Sequence, residues 1–133
     1  DCGVNVFYYC YALNGSMDIA ETISDYLCDN CYNLSAVNIN EQTFIGQYAF
    51  RNNLGLTQFT IPSTVTQIRQ YAFYGCSGLK AIYVERETPP TLASSTCLSN
   101  IASDCVIYVP TGSGDTYKAA SNWSVYASRI QEV

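Results

Sequence analysis

Apolar residues in this chain recur in a repeating unit whose copies start near residues 2, 23, 45 and 68. The third and fourth copies show it best: IGQYAFRNNLGLTQFTIPSTVTQ (45–67) is followed by IRQYAFYGCSGLKAIYV (68–84). In each, an isoleucine leads after two residues to Tyr-Ala-Phe, and a leucine takes the twelfth place (Leu56, Leu79). Apolar residues then follow at plus three and plus five: Phe59 and Ile61, Ile82 and Val84. The second copy keeps Ile23, Tyr26, Leu34, Val37 and Ile39, with Leu27-Cys28 for Ala-Phe. The first is degenerate: Phe7 holds the aromatic place, and one extra residue after Leu13 makes Met17 and Ile19 its inward pair.

The end of each unit, Leu-x-x-φ-x-φ, alternates with period two and predicts a short strand with one buried face. Stacked at about 4.8 Å per rung, such strands make a parallel sheet. The Ile-x-x-Tyr-Ala-Phe half returns the chain, and its length predicts a helical turn or two. One copy cannot bury its apolar face alone, so neighbours stack into a solenoid. The expected division is four repeats over 1–92 (about 2–22, 23–44, 45–67 and 68–92), then 93–133.

Past Val84 the pattern breaks at Glu85-Arg-Glu-Thr-Pro89-Pro90, where the prolines stop a further regular turn. A partial repeat follows, with Cys97 read at the aromatic's place. Cys105 to Pro110 reads as a last strand, Ile107 and Val109 inward. Asp115 is expected to cap a helix whose inward residues are Tyr117, Ala120 and Trp123, with Tyr126 and Ile130 continuing the apolar face. Residues 93–133 would thus form the terminal cap that a solenoid requires.

Charge narrows the partners. The formal net charge is −5, and the 6 Lys and Arg are scattered singly, so no basic patch exists for nucleic acid or an anionic membrane. No apolar run approaches the roughly 18–20 residues that span a bilayer. Few charges and many neutral polar residues fit an extracellular surface. The chain opens on Asp1, inside a repeat, and a larger protein is expected to continue before it.

Three of the 7 cysteines, Cys10, Cys31 and Cys76, stand three residues before the repeat leucine, where the third copy has Asn53. They read as a column of small buried hydrophobes, although strand spacing leaves a disulfide between neighbouring rungs open. Cys28-Asp-Asn-Cys31 has a Cys-x-x-Cys spacing, but with no histidine and no second close pair it is not a zinc site. Nor does it open a helix in a βαβ setting, as a redox motif would. Asp18, Asp25, Asp29, Glu41, Glu85, Glu87 and Asp104 follow no calcium-loop pattern. Glu85 and Glu87, beside Pro-Pro, read as solvated surface rather than paired catalytic carboxylates. Without histidine, nucleophilic catalysis lacks its usual base. Tyr26, Tyr48 and Tyr71 recur at repeat spacing and read as packing.

Ile-Gly-Gln-Tyr-Ala-Phe (45–50), Thr-Ile-Pro-Ser-Thr-Val-Thr-Gln-Ile (60–68) and Ala-Phe-Tyr-Gly-Cys-Ser-Gly-Leu (72–79) resemble the BspA-like leucine-rich repeat family, and so do Thr-Pro-Pro-Thr-Leu (88–92), Ile-Tyr-Val-Pro (107–110) and Asn122-Trp123 in the tail. The resemblance implies an α/β fold: a right-handed leucine-rich repeat solenoid with short parallel strands on one face, irregular or short helical returns on the other, and a small C-terminal helical cap. Members are typically surface or secreted proteins of gut and oral bacteria and some protozoan parasites. An adhesion role follows, toward a host or matrix protein or a glycan, with no enzyme activity and no cofactor. The alternative is a structural spacer in a larger surface protein, with no ligand of its own.

Alternation sends Asp18, Ala36, Asn38, Asn40, Gln58, Thr60, Ala81, Tyr83, Glu85 and Tyr108 outward. The face of a curved solenoid is the usual extended binding surface, and exposed tyrosines are common interface anchors. The expected site is therefore Tyr83, Tyr108, Asn38, Gln58 and Thr60, against the plainer reading that the two tyrosines only shield the sheet.

Overall fold

A computed structural model describes residues 15–19 and 22–133. In chain order its strands are β1 (Gly15–Ile19), β2 (Leu34–Ile39), β3 (Phe44–Ile45), β4 (Gln58–Ile61), β5 (Gln67–Ile68), β6 (Ala81–Val84), β7 (Thr91–Leu92), β8 (Val106–Val109) and β9 (Ile130–Glu132), with an α-helix, α1 (Gly114–Ala119), and a 3-10 helix (Ser124–Arg129) between β8 and β9. All pairings among them are parallel. β1 joins β2, β3-β5-β7 make a narrow sheet, and β4-β6-β8-β9 make the widest one.

Register follows the repeat. Met17 lies opposite Val37 and Ile19 opposite Ile39; Phe59 faces Ile82, and Ile82 faces Ile107. Val37, Ile39, Phe59, Ile61, Ile82, Val84, Ile107 and Val109 are all buried, with Leu34, Leu56 and Leu79 beneath them. Met17 is half-buried against the same core. Alternating burial along β4 and β6 is the signature of strands with one wet and one dry face. Phe50, Phe59 and Phe73 fill the interior, Phe59 and Phe73 edge to face at 4.8 Å. Phe7, Leu13, Cys2 and Cys10 lie outside the described residues.

The returning halves differ from the helical turns expected of them. Tight turns close locally, as in Ala49 N–H to Gly46 C=O (3.2 Å), while alternate N–H groups donate to the next turn of chain. Tyr48 donates to Gln70 at 3.1 Å, Phe50 to Ala72 at 2.8 Å and Asn52 to Tyr74 at 2.8 Å. The cause is backbone conformation. Tyr26, Tyr48 and Tyr71 have φ of 60°, 56° and 59°, and Asn30 and Asn52 have φ of 58° and 57°. Left-handed residues at those places break an α-helix and turn donors toward the neighbouring turn. Bulky tyrosines rarely accept that geometry. Here their rings stack at 4.9 Å, Tyr26 on Tyr48 and Tyr48 on Tyr71. Among the described returns only the last is helical, a 3-10 turn over Ser95–Leu98.

The same hydrogen-bond register corrects the place of Cys97. Phe73 N–H donates to Cys97 C=O as Phe50 N–H does to Ala72 C=O, so Cys97 follows Ala49 and Ala72. Leu98 takes the aromatic's place. The C-terminal segment also departs from expectation. Asp115 lies within the first turn of α1 and does not cap it; Ser113 holds the cap position but its hydroxyl donates back to Pro110 C=O at 2.6 Å and caps no helix N–H. Glu132 supplies the acceptor instead, its Oε1 receiving Gly114 N–H at 2.8 Å. Ile130 does not extend a helical face: it opens β9, which lies parallel to β8, so β8 is not the last strand. Tyr117, Trp123 and Tyr126 are buried as expected.

Candidate ligand-binding face

Each expected site residue is on the outer face of a strand. Asn38 on β2 is exposed and donates through Nδ2 to Asp18 Oδ1 on β1 at 2.7 Å. Gln58 and Thr60 on β4 are exposed. Tyr83 on β6 is 38% exposed, and Tyr108 on β8 is half-buried. Thr60, Tyr83, Tyr108 and Gln131 form one row across four strands. The two tyrosine rings stack with centroids 5.0 Å apart and planes within 12°, close to the ~4.8 Å spacing of the strands that carry them.

The sheet is interrupted beside this row. Gly55 lies so close to β2 that a Cβ there would come 2.8 Å from Leu34 C=O, yet no backbone ladder joins β2 to β4. Between them is a hollow of about 300 Å³, walled by the two strands with Pro62 and Glu85. A broader, shallower hollow of about 660 Å³ lies alongside, bounded by Tyr83, Tyr108, Pro110 and Val133. Gln58, Thr60 and Glu85 border both. Asn38 belongs to the first and the two tyrosines to the second, so the five residues are brought onto one continuous surface. The repeat pattern carried no signal for the interruption, because both flanking strands keep the same alternation.

Amides, a hydroxyl, a carboxylate and an aromatic pair can hydrogen-bond and stack, and no lysine or arginine lines either hollow. Glu85 and Glu87 border different hollows, Glu87 sharing its own with Thr88 and Thr111. Among the described residues no group of three or more His, Cys, Asp or Glu is placed to hold a metal. No helix among them is long and apolar enough to cross a membrane. Cys28 and Cys31 are both buried in the core. Asn53 stands between Cys31 and Cys76 in the column and copies a thiol's bond: Asn53 Nδ2 donates to Cys28 C=O at 2.7 Å, and Cys76 Sγ to Phe50 C=O at 3.0 Å.

An ion pair that pattern reading overlooked sits on the return side. Asp29 is fully buried and accepts from Arg51 Nε at 2.8 Å and Nη2 at 2.6 Å, while that guanidinium lies 4.4 Å over the Tyr48 ring. The signal was available, since Asp29 and Arg51 are both sixth after the repeat isoleucines Ile23 and Ile45.

Burial pushes the Cys76 thiol up from an ordinary 9.0 to about 12 and the Cys105 thiol to about 11. Tyr117, also buried, is shifted in the same direction. The unfolded chain therefore loses these protons first, and the contribution of these groups to folding stability should be level below about 9 and fall as pH rises through 9 to 12. Urea midpoints across that range check it; replacing Cys76 with alanine should flatten the decline.

A family model described as a BspA type leucine rich repeat region matches residues 2–103 in 6 copies. None of the curated proteins compared with the chain matches it.

Proposed function

Because the chain belongs to the BspA-type leucine-rich repeat family, we propose that it is a non-catalytic binding module of a cell-surface or secreted bacterial protein. Its ligand, a host or matrix protein or its glycan, docks on the outer strand face at Tyr83, Tyr108, Gln58, Thr60 and Asn38. The family suggests a protein-interaction or surface-protein module; adhesion and the docking face are the finer reading. A right-handed coil of four repeats over 1–92, closed by 93–133 as a cap, belongs to the same proposal. This reading gives the module no catalytic step and no cofactor.

One observation carries it. The sheet is interrupted beside two stacked tyrosines, and the outward amides and hydroxyl border the resulting hollows. Aromatic anchors surrounded by neutral hydrogen-bonding groups are the usual composition of an interface centre. A stalk that only spaces other domains has no need of a concave, aromatic-floored face.

Surface-immobilised matrix glycoproteins, titrated with this chain, provide the test. The Tyr83→Ala/Tyr108→Ala variant should weaken saturable binding by about 2 kcal/mol or more, the hot-spot scale, with an unchanged far-UV spectrum. Binding that survives in the variant would move the site off the sheet. No saturable binding to any member of the panel would leave the spacer role.

A further inference from the structure

We infer that the group recognised at this face is an uncharged pyranose ring of a glycan, seated against the open face of Tyr83 and hydrogen-bonded by the residues bordering the interrupted sheet. This rests on the proposed role of the strand face in binding, and names the chemistry of the ligand.

Tyr83 has two ring faces, and only one is covered. Tyr108 stacks on one side at 5.0 Å. On the other side the register places Thr60 opposite Tyr83, and a threonine is too short to cover a phenol ring. Beyond Thr60 there is no stacked strand face but the hollow between β2 and β4. The hollow that Tyr83 itself lines is the broader one of about 660 Å³, where Thr60, Gln58 and Glu85 stand with the ring, within the range of volumes that hold small ligands. A sugar ring has one face of C–H groups, whose partial positive charge suits the negative face of an aromatic ring.

The polar border fits the rest of a sugar. Beside Tyr83, Gln58 offers an amide donor and acceptor, Thr60 a hydroxyl that does both and Glu85 two acceptor oxygens, and Asn38 and Asn40 add amides from the adjoining hollow. Hydroxyl groups of a pyranose need donors and acceptors together. Neither hollow is lined by a cation, and Glu85 repels anions, which disfavours sulfated or acidic sugars because a buried anion needs a countercharge. The covered side matters too. Stacking on Tyr108 holds the Tyr83 ring upright before a ligand arrives, which reduces the ordering cost of binding.

Short uncharged hexose oligosaccharides and their sulfated counterparts are the probes, read by calorimetry and by the tyrosine absorbance difference spectrum of the unaltered chain. An uncharged sugar should bind saturably and shift the tyrosine band, and sulfation should weaken it. Tyr83→Phe should keep affinity within about threefold, because the ring face and not the hydroxyl is used. Tyr83→Ala should lose about tenfold or more. Thr60→Tyr, which covers the open face, should abolish binding. Three results overturn the inference: preference for sulfated sugars, insensitivity to Thr60→Tyr in a folded variant, or no sugar binding with no tyrosine shift. If sugars fail but a glycan-free protein binds and is lost in the double tyrosine variant, only the sugar inference falls. If that protein fails as well, the binding-face reading falls with it.

Discussion

Trp123→Ala should lower folding stability by about 3–5 kcal/mol, the usual cost of emptying a buried aromatic site. Natural domains have only about 5–15 kcal/mol in total, so the variant is expected near the edge of folding. Trp123 is 1% exposed and meets Tyr117 edge to face at 5.1 Å. Its Nε1 donates to Pro90 C=O at 2.7 Å. Two neighbouring bonds run the same way, Tyr117 hydroxyl to Arg86 C=O at 2.5 Å and Asn122 Nδ2 to Leu92 C=O at 2.9 Å. Together they fasten the C-terminal segment to 86–92, where the prolines have stopped the regular turn and left carbonyls without a strand partner. Trp123→Phe separates the two contributions: it keeps most of the ring but orphans Pro90 C=O, and should cost about 1–3 kcal/mol. Circular dichroism in urea is the measurement, since the chain has 1 tryptophan and the variant lacks that fluorophore. A midpoint shift below about 1 kcal/mol in Trp123→Ala would mean that the segment docks by other contacts.

How far this architecture was legible depends on how many times each feature is written. The inward columns were legible because Leu34, Leu56 and Leu79, and the pairs after them, repeat the same two periodicities; all are buried, and the pairs on β4 and β6 lie in parallel register. The outward residues followed from the same alternation, which is why Asn38, Gln58, Thr60, Tyr83 and Tyr108 were identified as one surface. Features written once were lost. β9 is three residues long, Ile130–Glu132, too short for period two to show; it forms because β8 presents an unpaired edge. Asp115 has the right residue type for a cap, but Glu132, distant in sequence, reaches Gly114 N–H, and no local rule foresees that. The left-handed tyrosines were hidden for a different reason. Residue type argues against φ near 60°, and only the gain from cross-turn hydrogen bonds and ring stacking reverses the local preference. The interruption between β2 and β4 belongs to neither class, because it is a property of how two normal strands stack.

Arg51→Met should cost about 3–5 kcal/mol, the scale for breaking a buried ion pair from one side. Asp29 is fully buried, whereas the Arg51 side chain is 25% exposed, so the two partners are not equivalent. Removing the guanidinium leaves a carboxylate in the interior without the two charge-assisted bonds at 2.8 and 2.6 Å that compensate its desolvation. It also removes the cation lying over the Tyr48 ring, in the middle of the tyrosine stack. Removing the carboxylate instead leaves a long side chain that can turn its charge to water, so Asp29→Leu should cost less. The double variant Asp29→Leu/Arg51→Met decides what the pair is for. Apolar replacement of a whole buried pair is often neutral or stabilising by about 1–4 kcal/mol. If the pair only neutralises itself, the double variant should recover most of the loss seen in Arg51→Met. The alignment argues for something more: both residues hold equivalent places in successive copies, and the fourth copy has Tyr74 there, so the pair ties one particular turn to one other. A double variant that regains its urea midpoint but loses slope would show that the pair sets the register of the returns rather than their stability. If it stays as unstable as Arg51→Met, the penalty of a stranded carboxylate is not the cause, and the Arg51–Tyr48 contact would be what holds the turns together.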